Sequence, residues 1–128
     1  MPKNFVLDTN AVNFLTSKGN VISDELEKEL DSADLFISVI TEIELFSKPE
    51  LSPEEEKNLH TFLSDKIITI DITDEIKKET IAIRRTAKHK LPDCIVAATA
   101  IVTNATLLTA DDKLLHLELQ RFSVKNIV

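Results

Sequence analysis

The stretch FVLDTNAVNFL, residues 5–15, decides how the chain is read. Asn4 to Leu7 forms a short apolar run of strand type, and Thr9 to Leu15 reads as a helix. Asp8 stands at the join, where a β/α protein commonly places its chemistry. On its own it is more simply an N-cap that satisfies a free backbone N–H. The remaining segments decide between the two roles.

Outward from this junction, strand and helix alternate. Ser23 to Asp31 reads as an acidic helix, Leu35 to Ser38 (LFIS) as a strand and Val39 to Ser47 as a helix ending before Pro49. SPEEEKNLHTFL carries Ser52, then Pro53 at the first helical position and Glu55 three after the serine, a capping box. Lys66 to Ile70 (KIITI) is a third strand. Thr73 to His89 reads as one long helix, acids first and bases last, in accord with the helix dipole. Pro92 to Thr103 is a nearly all-apolar helix that must be covered on most sides. Ala105 to Leu108 is a fourth strand, Asp111 to Leu119 a helix, and VKNIV at 124–128 a fifth, edge strand. Strands separated by helices imply a parallel sheet, whose ligands sit at the carboxyl ends of the strands.

The bulk composition suits one domain spanning residues 1–128: the chain has 128 residues, 43% of them hydrophobic and 29% charged. One cysteine excludes an intrachain disulfide and suits a reducing, cytoplasmic setting. The first residues show no apolar h-region of a signal peptide. The least charged stretch, Leu91 to Ala110, is broken by threonines and Asn104, whereas a spanning helix needs ~20 predominantly apolar residues, so no membrane association is expected. A single glycine, Gly19, excludes a P-loop and the dinucleotide fingerprint. The net charge of −7 disfavours simple nucleic-acid binding through Lys and Arg. It weighs less against a nuclease whose acids hold cations.

Acids recur at the strand ends. Asp8 follows the first strand, Asp111 and Asp112 the fourth, and Glu42 and Glu44 lie on the helix after LFIS. Asp93 opens the apolar helix. Each has a bland role as cap, first-turn acid or half-exposed side chain. Together, at one edge of a parallel sheet, they would repel one another unless a hard divalent cation with oxygen ligands, such as Mg²⁺, joined them. His60, His89 and His116 are scattered and fit no zinc spacing. Cys94 has no activating neighbour and reads as core, as do Phe14, Phe36, Phe46 and Phe62. Residues two apart on a helix do not share a face, so only one of Glu42 and Glu44 joins the set; spacing alone does not say which.

VLDTN, SVITEIELF, LPDCIVAATA and LLTADD, in this order, resemble the PIN-domain nucleases, in particular the small ribonuclease toxins of VapC type. The resemblance covers nearly the whole chain. It implies a three-layer α/β/α sandwich around a mainly parallel sheet of four or five strands. It implies Asp8, Glu44, Asp93 and Asp111 as catalytic, metal-holding acids, favouring Glu44 over Glu42 and Asp111 over Asp112. Asn10, Thr109 and Asp112 become supporting residues. It further implies one or two Mg²⁺ or Mn²⁺ ions, hydrolysis of RNA to 5′-phosphate and 3′-hydroxyl ends, a small antitoxin partner and a homodimer. Many relatives have glycine where this chain has Asn104, a residue that tolerates the same left-handed turn.

RNA would also need to be held. Residues 77–90 hold six bases against one acid, Glu79. Lys77, Arg84 and Lys88 are expected on one helical face, with Arg85 beside them, either as a solvated face or as an RNA track. The principal rival is a catalytically silent PIN-like module that binds RNA or protein. A phosphatase with Asp8 as nucleophile is less well matched, because such families usually place a second aspartate where this chain has Asn10.

Overall fold

The computed structural model describes residues 3–17 and 19–128. Five parallel strands form one sheet: β1 (Asn4–Leu7), β2 (Asp34–Ser38), β3 (Ile67–Ile70), β4 (Thr106–Thr109) and β5 (Ser123–Asn126), in the order β3-β2-β1-β4-β5. The helices are α1 (Thr9–Thr16), α2 (Asp24–Ser32), α3 (Val39–Phe46), α4 (Pro53–Lys66), α5 (Asp74–Thr86), α6 (Leu91–Val102) and α7 (Asp112–Leu115). The chain builds outward from β1 to β3, then crosses back to lay β4 on the other side of β1. The strand order therefore switches between β1 and β4, where ligand crevices form in open α/β sheets.

Alternation along the strands builds two cores. Phe5, Leu7, Leu35, Ile37 and Leu108 face α1, α2 and α4, meeting Val12, Leu26, Leu59 and Leu63. Val6 and Leu107 point the other way, onto Val96 and Ala100 of α6 and Leu114 of α7. Ile76 and Ile83 of α5 then cover the outer side of α6 at Cys94, Ala98 and Ile101. Helix α6 is thus sandwiched between the sheet and α5, and its residues 94–101 are all buried. An apolar helix with no polar face follows directly from that position. Among the described residues, no helix is long and apolar enough to cross a membrane.

Local chemistry sets the helix starts. Asp8, Ser23, Ser38, Ser52, Thr73 and Asp111 each accept a backbone N–H as N-cap. The capping box at Ser52 is complete, with Glu55 reaching back to the Ser52 amide at 3.2 Å. At the end of α6, Asn104 takes φ 56°. The Ala105 amide then donates to the Ala100 carbonyl and the Asn104 amide to Ile101, the paired bonds of a left-handed helix stop.

Two helices are shorter than the sequence predicts. Helix α5 ends at Thr86 rather than His89. Residues 87–90 are needed to turn α6 back across α5 before Pro92, and the Arg84 guanidinium donates to the His89 carbonyl at 2.6 Å across that turn. Lys88 therefore leaves the helix, and no single helical face joins it to Lys77 and Arg84. Helix α7 stops at Leu115 rather than Leu119. Leu117 and Leu119, two residues apart, both pack into the core, a spacing that a helix cannot satisfy.

Candidate active site

Three strands at the middle of the sheet run directly into helices at their carboxyl ends. Asp8 joins β1 to α1, Ser38 joins β2 to α3, and Asp111 joins β4 to α7. Asp8, Thr9, Asn10, Glu44, Asp93, Val96 and Asp111 line one cleft of about 210 Å³. Four carboxylates from four separate segments thus meet at the β1/β4 switch point.

Asp8 is the anchor of this cleft, with 6% of its surface exposed. Its Oδ1 accepts the Ala11 amide at 2.7 Å, and its Oδ2 accepts a hydrogen bond from the Thr109 hydroxyl. The same Thr109 oxygen accepts the Asp111 amide at 2.9 Å. One buried hydroxyl at the end of β4 therefore fixes both strand-end aspartates. Asp111 is also the N-cap of α7, accepting the Lys113 amide at 2.9 Å. Glu44 is exposed and reaches the cleft from α3, held by the Thr9 hydroxyl at 2.8 Å. Asp8 and Asp111 each combine the bland role of helix cap with a position in the cleft.

The electrostatics are those of crowded acids. Burial pushes the Asp8 carboxyl above its ordinary value, and the charges of Asp111 and Asp93 add to the effect. The bonds from Thr109 and Ala11 act in the opposite direction without cancelling it. Asp93 is likewise raised, first by burial and then by Asp111, with Glu44 contributing and with His89 and Lys90 opposing. Among the described residues, none of the four acids is in an ion pair with a lysine or arginine. The donor set is all oxygen and the negative charge is unbalanced, which fits a hard divalent cation. Among the described residues, no three His, Cys, Asp or Glu side chains close into a ready coordination shell. The acids line the cleft without being drawn together.

The cleft takes Glu44 and leaves Glu42 outside. It takes Asp111, whereas Asp112 is 90% exposed and lies 3.6 Å from the His116 ring. Asn10 lines the wall, and Thr109 lies beneath it. Lys77, Arg84, Arg85 and Lys88 do not line the cleft. Lys77 pairs with Asp74 at 3.4 Å at the far end of α5. Sequence reasoning missed Thr9: its partnership with Glu44 spans 35 residues and arises only once α1 and α3 pack together.

A family model for the PIN domain matches residues 5–119. The chain belongs to the PIN-domain family. Among solved structures it is similar to VapBC2 from Rickettsia felis bound to a DNA fragment from their promoter, at 24% identity over 96% of this chain and 98% of that chain, with a TM-score of 0.76. It is similar to a toxin–antitoxin complex from Klebsiella pneumoniae at 25% identity, covering 91% of this chain and 93% of that one, with a TM-score of 0.68. PAE2754 from Pyrobaculum aerophilum shares the fold at 17% identity, over 99% and 91% of the two chains, with a TM-score of 0.61. None of the curated proteins matches.

Proposed function

We propose that the chain is a divalent-metal-dependent endoribonuclease and the toxin of a toxin–antitoxin pair. The observation that carries this reading is that Asp8, Glu44, Asp93 and Asp111 line one cleft and, among the described residues, none of them is ion-paired with a lysine or arginine. Family membership supports nuclease chemistry, and the likeness to toxin–antitoxin complexes supports a small protein antitoxin as partner. A homodimer and a cytoplasmic location complete the reading.

In this reading Asp8, Glu44, Asp93 and Asp111 hold Mg²⁺ or Mn²⁺, directly or through water. A bound divalent ion supplies a water acidic enough to act as nucleophile near neutral pH. Hydrolysis at such a site would add the water oxygen to phosphorus and release the 3′ oxygen as a hydroxyl, leaving 5′-phosphate and 3′-hydroxyl ends. The protein contributes position. Thr109 and Ala11 fix the Asp8 carboxylate, Thr109 also fixes the turn at Asp111, and Thr9 holds the exposed Glu44 side chain. Asn10 faces the same space and is suited to donate to a phosphate oxygen. Arg84, Arg85, Lys88 and Lys90, around the turn leading to Asp93, are the bases best placed to steer RNA towards the acids.

Cleavage of labelled total RNA by antitoxin-free protein, in Mg²⁺ or Mn²⁺ and then in EDTA, tests the proposal alongside Asp8→Asn and Asp93→Asn. Metal-dependent cleavage lost in both variants is the expected result. A folded wild type that binds metal but cleaves no RNA would overturn it in favour of a silent binding module.

A further inference from the structure

Helices α1 and α3 lie side by side and carry more than the cleft wall. Thr9, Asn10 and Glu44 line the cleft. One turn further along α1, Asn13 follows Asn10 by three, and Lys48 lies just past the end of α3, four residues after Glu44. Together with Ser17, Leu45, Asn58 and Leu59 they line a second pocket of about 330 Å³. The pocket neighbours the cleft along α1 and through the adjacent residues Glu44 and Leu45 of α3, and α4 closes its other side with Glu55, Asn58 and Leu59. A helical turn advances ~5.4 Å, and a stacked strand advances ~3.4 Å per nucleotide. On that spacing, a polynucleotide whose scissile phosphate is held in the cleft would bring a nucleotide one or two places away to the pocket.

The lining suits a nucleobase. Leu45 and Leu59 are buried and give an apolar floor. Asn13 and Asn58 also line the pocket; side-chain amides carry an acceptor and two donors, the pattern that pairs with base edges, and Asn13 keeps its two donors although Lys48 engages its oxygen. Lys48 donates to the Asn13 side-chain oxygen at 3.4 Å, which places an ammonium at the rim beside the amide. Glu55 also lines the pocket, but its carboxylate is engaged by the Ser52 amide in the α4 cap. The volume lies at the small end of ligand clefts, about 300–1,000 Å³, which favours one nucleotide over a partner helix.

We propose that this pocket is a base-binding subsite for single-stranded RNA, holding the nucleotide one or two places from the scissile bond. Asn13 and Asn58 read the base edge, and Lys48 meets the adjoining phosphate. The proposal rests on the ribonuclease reading above and supplies its sequence preference.

Random-sequence RNA oligonucleotides containing 4-thiouridine, cross-linked to the Asp8→Asn protein and to wild type in EDTA, test it directly. Cross-links are expected in α1 around Asn13 or in α4 around Asn58. Asn13→Ala and Asn58→Ala, which place a better helix former on α1 and α4, should lower kcat/KM at least about fivefold and change the preferred base beside the cut. Lys48→Ala should weaken binding to all sequences alike and reduce its salt dependence. Cleavage by wild type with cross-links elsewhere and all three variants unaltered would overturn the subsite while leaving the ribonuclease standing. Variants that lose only a co-expressed antitoxin, with RNA cleavage intact, would overturn it in favour of a protein-binding pocket. A wild type that neither binds nor cleaves RNA would overturn both readings.

Discussion

The Thr109 hydroxyl donates a hydrogen bond to the Asp8 carboxylate from 101 residues away in sequence. It simultaneously accepts the Asp111 amide. Thr109→Val keeps the shape and removes both interactions. Losing the partner of a buried carboxylate costs about 1–3 kcal/mol. Urea unfolding should therefore show that loss. The Thr109 bond holds the Asp8 pKa down, so the variant should also need a higher pH to ionise Asp8, and the acid limb of its pH–rate profile should move upward. A profile superimposed on wild type would mean that the hydroxyl plays no part in the site.

Asp93 makes no side-chain hydrogen bond among the described residues, and its carboxyl is raised by burial and by Asp111. In EDTA, the folded protein holds its proton at pH values where the unfolded chain has released it. Stability attributable to Asp93 therefore falls as pH rises from its ordinary value of 3.8 through the raised folded value. Asp93→Asn removes this penalty. At neutral pH in EDTA the variant should melt above wild type, and the gap should close towards the acid end of that window. Glu29, lowered first by its hydrogen bond from Lys125, has the opposite sign and is common to both proteins. A variant melting below wild type at neutral pH would contradict the crowded-acid picture.

Metal should reverse that order. Mn²⁺ at ~100 times its Kd stabilises by about 2.7 kcal/mol, or roughly 10 °C in Tm for a domain of this size. The gain should appear in wild type and be largely lost in Asp93→Asn. Equal shifts in both would place the ion elsewhere.

Glu42 and Glu44 are two residues apart on α3, yet only Glu44 lines the cleft. Glu44→Gln should reduce metal-dependent cleavage strongly, whereas Glu42→Gln should change it little. Thr9→Val releases Glu44 and should weaken Mn²⁺ activation about 10–100-fold, the range for a group that orients a metal ligand. Stability should change by less than about 1 kcal/mol, because Glu44 is exposed. Mn²⁺ titrations of the cleavage rate separate the three variants.

Asn104 occupies the left-handed region at φ 56°. Asn104→Val should destabilise by about 1–2 kcal/mol through backbone strain alone, and Asn104→Gly should be neutral or mildly stabilising. Thermal melts check this, with the rate of cleavage per folded molecule unchanged.

What was legible in the sequence follows from how local each cause is. β1 is read to the residue and β2, β3 and β4 to within one, because apolar runs stop at polar junctions, whereas β5 ends at Asn126, two residues before the end of the VKNIV reading. Helix starts are read well because Ser52, Thr73 and Asp111 act on amides two or three residues away. Helix ends at Thr86 and Leu115 are not, because the α6 turn and the packing of Leu117 and Leu119 decide them. The acids at 8 and 93 stand out by position at a strand end and a helix start, whereas Asp111 is separated from Asp112 only by the family resemblance. Choosing Glu44 over Glu42 from residues alone is impossible, since it depends on the rotation of α3 against α1.

The strand order has a consequence for the newly made chain. Asp8 and Glu44 emerge early, but Asp93 and Asp111 come late, and Thr109 arrives only with β4. Until β4 docks against β1, Asp8 lacks its Thr109 partner and the cleft lacks Asp111. A nascent chain on the ribosome carries most parts of the cleft without its finished arrangement. Under the proposed function, its own messenger and the machinery translating it are spared until synthesis is nearly complete.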